Sequence, residues 1–577
     1  MTDQATPPPV GAGLTRRGRT IALWVVLLAF FMDLLDATIV NVAIPSIQET
    51  LGASYSSIQW IIAGYSLTFA LFLITGGRLG DIFGYKRLFL LGITGFIVAS
   101  ALSGFAGSTE FLIGARLLQG FFAAMMVPQI LSTIQVMYTT TAERQGVSAF
   151  YGALAGVATV GGPILGALLI TSNAFGFGWR TIFLVNVPVG IAAIILAIIY
   201  LPDAKSPHPL KLDFLGVALV VIAMLMLMYP LIQGRELDWP AWTFISMAAS
   251  IVVFVLFGWS QVWKEKRDGS PLVVPHLFLQ RSFVAGIFLS GAFFAIVSGF
   301  FLIFTLFLQV GLGYSVLKAG LTGIPFSLGV SVSAGLSGPV LVPRFGRNII
   351  TAGPLVMAIG FALFIWTADT FGGDLTPYEL IPALLIAGLG MGFVVASVYP
   401  FILAQVPIKD AGSASGVINA TGQIGGAIGV AAIGVIFFGL IGGLATASVD
   451  SVRDSFRADL TTAGAPPFGL RSITNMFEAC FNDRANAKDF SVMPQSCQDA
   501  IDAEKQVGEK QPELAAAINK LALHYGAVAN QRNFTSSIIQ TLWWEIGALA
   551  VIFLLSFLLP PRPRSEADLA AAGVAAG

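Results

Sequence analysis

The sequence predicts an all-α membrane protein of fourteen transmembrane helices, arranged as two six-helix repeats with two inserted helices between them. Three observations carry this prediction. The 577 residues are 56% hydrophobic and only 11% charged, with a mean hydropathy of +0.82, which lies outside the range of soluble globular chains. Apolar runs long enough to cross a hydrocarbon core ~30 Å thick recur along the whole chain. A glycine-rich turn at 76–84 returns in altered form at 338–346.

Taken in order, residues 1–19 are rich in Pro, Gly and Thr and end in Arg16, Arg17 and Arg19; a disordered tail is expected there. Apolar runs follow at 20–44, 58–77, 86–106, 111–136, 146–171, 181–201, 213–232, 241–262, 282–309, 317–341, 349–368, 380–404, 412–445 and 536–559. The first run is too long, and has too many successors, to be a cleaved signal peptide. An even number of spans puts both termini on one side. Arg16, Arg17, Arg19, Arg78, Lys86, Arg87, Arg144, Lys205, Lys211, Lys264, Lys266, Arg267, Arg281, Arg344, Arg347, Lys409, Arg562 and Arg564 share that side. The short loops opposite carry only Arg180, Arg235 and Lys318. The positive-inside rule therefore makes both termini cytoplasmic. Residues 20–201 form a first six-helix bundle, 202–280 an inserted pair of spans, and 281–559 a second bundle. A tail over 560–577 is expected to be disordered.

The second bundle is interrupted by a large polar segment on the outer side, 446–535. Asp450–Leu460 is expected to prolong the thirteenth span, and 512–523 has helical periodicity. Both cysteines, Cys480 and Cys497, lie in this segment. In an oxidising compartment they are expected to form a disulfide that contributes ~3 kcal/mol to loop order, with two free thiols as the alternative. Asn533-Phe534-Thr535 matches a glycosylation sequon, a pattern frequent by chance. The segment is a candidate docking surface for an envelope partner.

Chemistry concentrates in the first span. Asp33 and Asp36 sit one turn apart among hydrocarbon, and Asp36 lies ~24 Å along the run at ~1.5 Å per residue. An ionisable group at that depth costs at least ~2.5 kcal/mol, which marks a functional site. Burial favours the neutral carboxyl and a nearby cation favours the charged one. An acid alternately sealed from water and opened to it is thus suited to carrying protons; a hydrogen-bonded structural acid is the alternative. Arg116, inside the fourth span, is the natural partner of Asp36, unless it snorkels to the outer interface. Glu545, beside Trp543 and Trp544 in the last span, is a second titrating candidate or an interfacial acid under an aromatic belt.

The most specific motif is the turn Gly77-Arg78-Leu79-Gly80-Asp81-Ile82-Phe83-Gly84-Tyr85-Lys86-Arg87 between the second and third spans. Its glycines allow close approach and unusual dihedrals, Asp81 suits a helix N-terminus or a basic partner, and Lys86 and Arg87 anchor the inner surface. It resembles the conserved loop of the major facilitator superfamily. Leu35-Asp36-Ala37-Thr38-Ile39-Val40-Asn41-Val42-Ala43-Ile44-Pro45 looks like the first-helix motif of that superfamily's fourteen-span drug:proton antiporters. Arg116-Leu117-Leu118-Gln119-Gly120 resembles the fourth-helix motif, and Gly162-Pro163-Ile164-Leu165-Gly166 the fifth-helix motif of exporters. Trp179 through Gly190 is also similar to that subfamily. The second-half turn departs from the pattern, because Pro343 stands where the acid would be.

The resemblance covers about residues 20–445 and 536–559. It implies the major facilitator fold, a proton-coupling role for Asp36, a modulating role for Arg116, and rocking of the bundles about the gate residues Gly77, Asp81, Gly84, Lys86, Arg87, Gly162, Pro163 and Gly166. Asp33 stands outside the motif and shares the proton or polarises the cavity. The spans that line the superfamily's central cavity supply Asn41, Tyr65, Gln119, Gln129, Phe293, Phe294, Phe301, Gln309, Tyr399, Asn419 and Gln423 as substrate contacts. Each alone is also compatible with ordinary packing or an interhelical hydrogen bond.

The expected function is proton-coupled export of lipophilic, often cationic drugs across the plasma membrane by alternating access. The alternative is export of an endogenous metabolite, lipid, siderophore or antibiotic. The expected partners are a small-molecule substrate, protons and membrane lipids. A zero net charge argues against nucleic acid. No cofactor or metal is expected, and the chain is expected to act as a monomer. His208, His276 and His524 are dispersed, and neither a phosphate loop, a zinc pair nor a nucleophile elbow occurs, which argues against an enzyme and against ATP-driven transport by this chain alone.

Overall fold

Thr15 starts the first helix: its hydroxyl accepts the Gly18 N–H at 3.1 Å and caps α1 (Arg16–Leu51). In this computed structural model the described residues are 15–138, 161–173, 176–206, 211–403, 411–487 and 493–562, with isolated positions at 154, 158 and 406. The tail expected over 1–19 is corrected to end before Thr15. Residues 1–14 and 563–577, which hold most of both expected tails, lie outside the described residues, as do Arg144 and Lys409.

The other spans are α2 (Tyr55–Phe83), α3 (Tyr85–Gly104), α4 (Thr109–Met137), α6 (Gly178–Tyr200), α7 (Phe214–Gln233), α8 (Ala241–Asp268), α9 (Arg281–Gly311), α10 (Val316–Leu336), α11 (Asn348–Asp374), α12 (Pro377–Ile402), α13 (Ala411–Gly443) and α17 (Pro512–Ser556). Among the described residues thirteen helices are long and apolar enough to cross a bilayer. The remaining predicted run, 146–171, is represented by the shorter apolar helix α5 (Gly161–Ser172). Local chemistry sets the starts. Ser54, Ser108 and Ser315 cap α2, α4 and α10 through their hydroxyls, Asp213 caps α7 with its carboxylate, and Thr376 with Glu379 forms a capping box on α12.

The two bundles repeat one packing scheme. α4 packs on α2 and α3, and eight spans later α12 packs on α10 and α11. Backbone contact explains why small residues occur there: a Cβ on Gly76 would lie 2.0 Å from the Ala124 carbonyl, and one on Gly388 1.9 Å from the Phe326 carbonyl. The inserted helices α7 and α8 pair with each other, and α7 leans on α2 and α13. α8 turns Ile245, Val255 and Trp259 outward, as expected of a lipid-facing helix. The bundles meet where α2 crosses α13 and where α1 touches α9 and α10.

The outer segment is a folded helical subdomain rather than an open loop. α14 (Ala445–Thr462) continues from α13 and, with α16 (Gln495–Lys510), packs beside the outer part of α17, while α15 (Pro467–Asn486) packs on α14 and α16. At ~1.5 Å per residue, 45-residue α17 is roughly 67 Å long, more than twice a hydrocarbon core. Phe456, Leu460, Ala465 and Ile518 form a small core. Arg453 pairs with Glu478 and Asp450, Tyr525 donates to Asp459 at 2.7 Å, and Cys480 and Cys497 are joined by a disulfide.

Candidate functional site

Asp36 lies on α1 with 1% of its surface exposed, and three side chains from other helices close on it. Arg116 of α4 forms an ion pair with Oδ2. Gln119, one turn further along α4, donates to Oδ1 at 2.8 Å, and Asn186 of α6 donates to the same atom at 3.3 Å. The spacing of Arg116 and Gln119 puts both on one helical face, and Gln119 Oε1 accepts from Arg116 Nη1 at 2.7 Å. Arg116 Nε donates to the Ile61 carbonyl at 3.2 Å, and the guanidinium rests over the Tyr65 ring, 4.3 Å from its centroid. Arg116 is as buried as Asp36, so the arginine points into the bundle and does not snorkel. Asn186 also donates to Ser100 at 3.0 Å, and Ser100 donates to the Phe183 carbonyl at 3.0 Å.

Asp33 is joined to this cluster indirectly. It accepts from the Tyr65 hydroxyl, and Tyr65 in turn faces Arg116. The arrangement is therefore a chain of buried groups, Asp33–Tyr65–Arg116–Asp36, held on α1, α2 and α4. Helix α5 packs on the same stretch of α1. A Cβ on Gly162 would stand 2.0 Å from Thr38 Oγ1, and one on Gly166 2.7 Å from Ile39. The two glycines let α5 lie directly on the turn that follows Asp36.

A central cavity of about 40 Å³ lies between the bundles, lined by Thr38, Asn41, Val42, Pro163, Phe301, Phe304, Thr305, Leu308 and Gln309, with α10 closing it. Gln309 Nε2 donates to the Val42 carbonyl at 3.1 Å and ties α9 to α1 at its outer edge. Asn41, Gln309 and Phe301 line this cavity, and the other proposed substrate contacts are not among its lining residues. Tyr65 and Gln119 serve the aspartates. Gln129 is buried and donates to the Gly76 carbonyl at 2.8 Å, holding α4 to α2. Tyr399 donates to Asn419 Oδ1 at 2.7 Å, Phe293 and Phe294 meet edge to face, and Gln423 is half-buried on α13.

In the inner turn, Gly84 has φ +101° and separates α2 from α3. Asp81 accepts from the Tyr85 hydroxyl at 3.0 Å, and the Arg78 guanidinium acts on its charge. Lys86 donates to the Ile198 carbonyl at 2.8 Å, Arg87 is exposed, and Gly77 rests 3.6 Å from Pro128 as measured from an added Cβ. Arg78, absent from the expected gate, takes the carbonyls of Lys211, Ser270 and Pro271 and so fastens α2 to the segments flanking the inserted pair. In the second half, Arg347 takes the carbonyls of Phe557 and Leu559 at 2.9 and 2.8 Å, a contact without an acid.

Glu545 lies in the second bundle, wholly buried, and neither carboxyl oxygen has a hydrogen-bond partner among the described residues. Asn533 is also buried, its amide donating to the Ile441 carbonyl at 2.9 Å, which removes it as a glycosylation acceptor. Sequence reasoning missed Asn186 and Ser100 as partners around Asp36. Asn186 was visible within the Trp179–Gly190 motif, but nothing local connects it to a residue on α1.

The comparisons with known proteins agree with this architecture. The family model of the Major Facilitator Superfamily matches residues 26–430. The chain is 40% identical to a "Probable actinorhodin transporter" of Streptomyces coelicolor over 97% of its own length and 94% of that protein's. It is 34% identical to the "Tetracenomycin C resistance and export protein" of Streptomyces glaucescens over 74% of this chain and 77% of that one. With the "Multidrug efflux pump LfrA" of Mycolicibacterium smegmatis it shares 31% identity over 72% and 80%. Among solved structures, a bacterial homolog of the human lysosomal transporter Spinster, inward-facing and occupied, superposes with a TM-score of 0.57 at 16% identity, covering 96% of this chain and all of that one; this likeness concerns the fold. The chain is a multi-pass membrane protein that belongs to the major facilitator superfamily, among its drug-efflux members.

Proposed function

We propose that the protein is a proton-coupled exporter of small lipophilic compounds in the plasma membrane, with Asp36 as the coupling acid. The observation that carries this reading is the buried cluster in which Asp36 meets Arg116, Gln119 and Asn186. In this reading the proton-binding group is Asp36, two residues before Thr38 and five before Asn41, both of which line the central cavity. When Asp36 takes a proton its ion pair with Arg116 is lost, and the bonds holding α4 to α1 weaken. Thr38 and Ile39 then transmit the change to α5 through Gly162 and Gly166, because a close-packed contact answers a shift in α1 directly. Asp33 acts through Tyr65 and Arg116 and adjusts the cluster. The relatives named for export or multidrug efflux support export as the direction of transport.

A second reading of the substrate has specific support. A match over 97% of the chain necessarily includes most of the outer subdomain, and it is to a probable actinorhodin transporter. Export of an antibiotic-type product made by the host cell is the reading this favours. A growth-protection and accumulation screen across chemically varied compounds, comparing wild type with Asp36→Asn, tests the proposal. Wild type is expected to lower accumulation of several lipophilic compounds and Asp36→Asn to lower none. Equal accumulation with and without the wild-type protein, for every compound, would refute export.

A further inference from the structure

Directly outside the central cavity lies a much larger one. Its volume is about 940 Å³, within the range that buries a drug-sized molecule, ~300–1,000 Å³. The central cavity, at about 40 Å³, does not hold such a molecule in this conformation. The two cavities use successive turns of α1 and interleaved residues at the end of α9. α1 contributes Asn41 and Val42 to the inner one and Pro45 and Gln48 to the outer; α9 contributes Leu308 and Gln309 to the inner and Leu306 and Val310 to the outer. The Gln309–Val42 hydrogen bond stands at the partition. A molecule leaving the central cavity outward between α1 and α9 therefore enters the outer chamber before reaching bulk water.

The roof of this chamber is the folded outer subdomain, and its lining is chemically particular. Phe438 and Phe534 rise from the membrane part, while Phe456, Phe477 and Phe481 come down from the subdomain. Aromatic side chains from both the membrane part and the subdomain suit a flat, apolar ring system. Asn533, 1% exposed, stands in the chamber wall with its amide nitrogen committed to the Ile441 carbonyl.

We propose that the outer subdomain and the bundle ends form a second binding chamber for flat, largely apolar aromatic molecules, occupied after transit of the central cavity. The inference rests on the exporter reading for the direction of traffic, but the site itself does not depend on it. Its subdomain wall also gives the large outer segment a function that membrane crossing alone does not require.

Photolabelling of the full chain in lipid nanodiscs with ethidium monoazide, a planar ring system bearing an amine, tests the site. After illumination, peptides of α15, α16 and the outer part of α17 are expected to carry adducts. A tenfold excess of ethidium should suppress them, and Ala500→Trp, which fills the chamber, should reduce them at least fivefold. Gln48→Trp fills it from the α1 wall and should do the same, so a folding failure of either variant leaves the other as the test. Adducts confined to the central cavity segments of α1, α9 and α10 would overturn the proposal, as would chamber adducts indifferent to competitor and to both variants. Chamber adducts without export in the accumulation screen would refute the exporter reading alone; export without chamber adducts would refute the chamber alone.

Discussion

Replacing Arg116 with Leu removes the cation from Asp36 and leaves that carboxylate with two neutral donors, Gln119 and Asn186. Breaking one side of a buried ion pair costs ~3–5 kcal/mol, because the remaining charge stays buried. Asp36→Asn is milder. Arg116 keeps Gln119 Oε1, the Ile61 carbonyl and the Tyr65 ring, so the loss is that of a charged hydrogen bond, ~1.5–3 kcal/mol. If the two residues act as one unit, the double variant does not cost the sum. The coupling energy should be ~1–3 kcal/mol, with Arg116→Leu/Asp36→Asn more stable than Arg116→Leu alone. Steric trapping or thermal unfolding of the four proteins in one lipid mixture measures this cycle. Additive costs, with a coupling within ~0.5 kcal/mol of zero, would refute the pairing on which the coupling mechanism depends.

Other predictions follow from particular contacts. Gly162→Ala should destabilise the protein by ~1–3 kcal/mol through overpacking against Thr38, and Thr38→Ala should recover most of it; a Gly162→Ala protein with the wild-type unfolding midpoint would dismiss the α1–α5 contact. Cys480→Ser should weaken the outer subdomain by ~3 kcal/mol, read as faster limited proteolysis of α15 and α16 while the membrane spans stay resistant; unchanged cleavage rates would show the disulfide to be dispensable. Glu545→Leu removes a buried, unbonded polar group and should raise stability by ~1–3 kcal/mol with export retained, because among the described residues no hydrogen bond joins Glu545 to the aspartates. Loss of gradient-driven export in that variant would move the coupling role to Glu545.

Much of the fold was legible because hydrocarbon thickness dictates span length, so apolar runs of the right length mark helices without any knowledge of their packing. The Asp36–Arg116 pair was legible for a related reason: two opposite charges at similar depth must meet or remain unsatisfied. The rest of the cluster was not. Asn186 reaches Asp36 across 150 residues of sequence, and an asparagine in a span equally suits any interhelical bond. The substrate set shows the same ambiguity. Gln129 and Tyr399 are polar groups in cavity-facing spans, yet the first serves a carbonyl of α2 and the second an asparagine of α13. The outer segment read as polar and partly helical, but the chamber beneath it depends on how four helices fold back over α1 and α9, which no local pattern encodes. Arg78 belongs to the same class, since its acceptors are backbone carbonyls far along the chain.

The most direct measurement is paired proton and substrate flux in proteoliposomes with an imposed pH gradient, wild type against Asp36→Asn, using a compound that the accumulation screen identifies. Wild type should move substrate against its concentration gradient with a matching proton counterflow. Asp36→Asn should still bind the compound and exchange it downhill, while neither concentrating it nor moving protons. Full gradient-driven transport by Asp36→Asn would contradict the account, whatever the fate of Asp33 or Glu545.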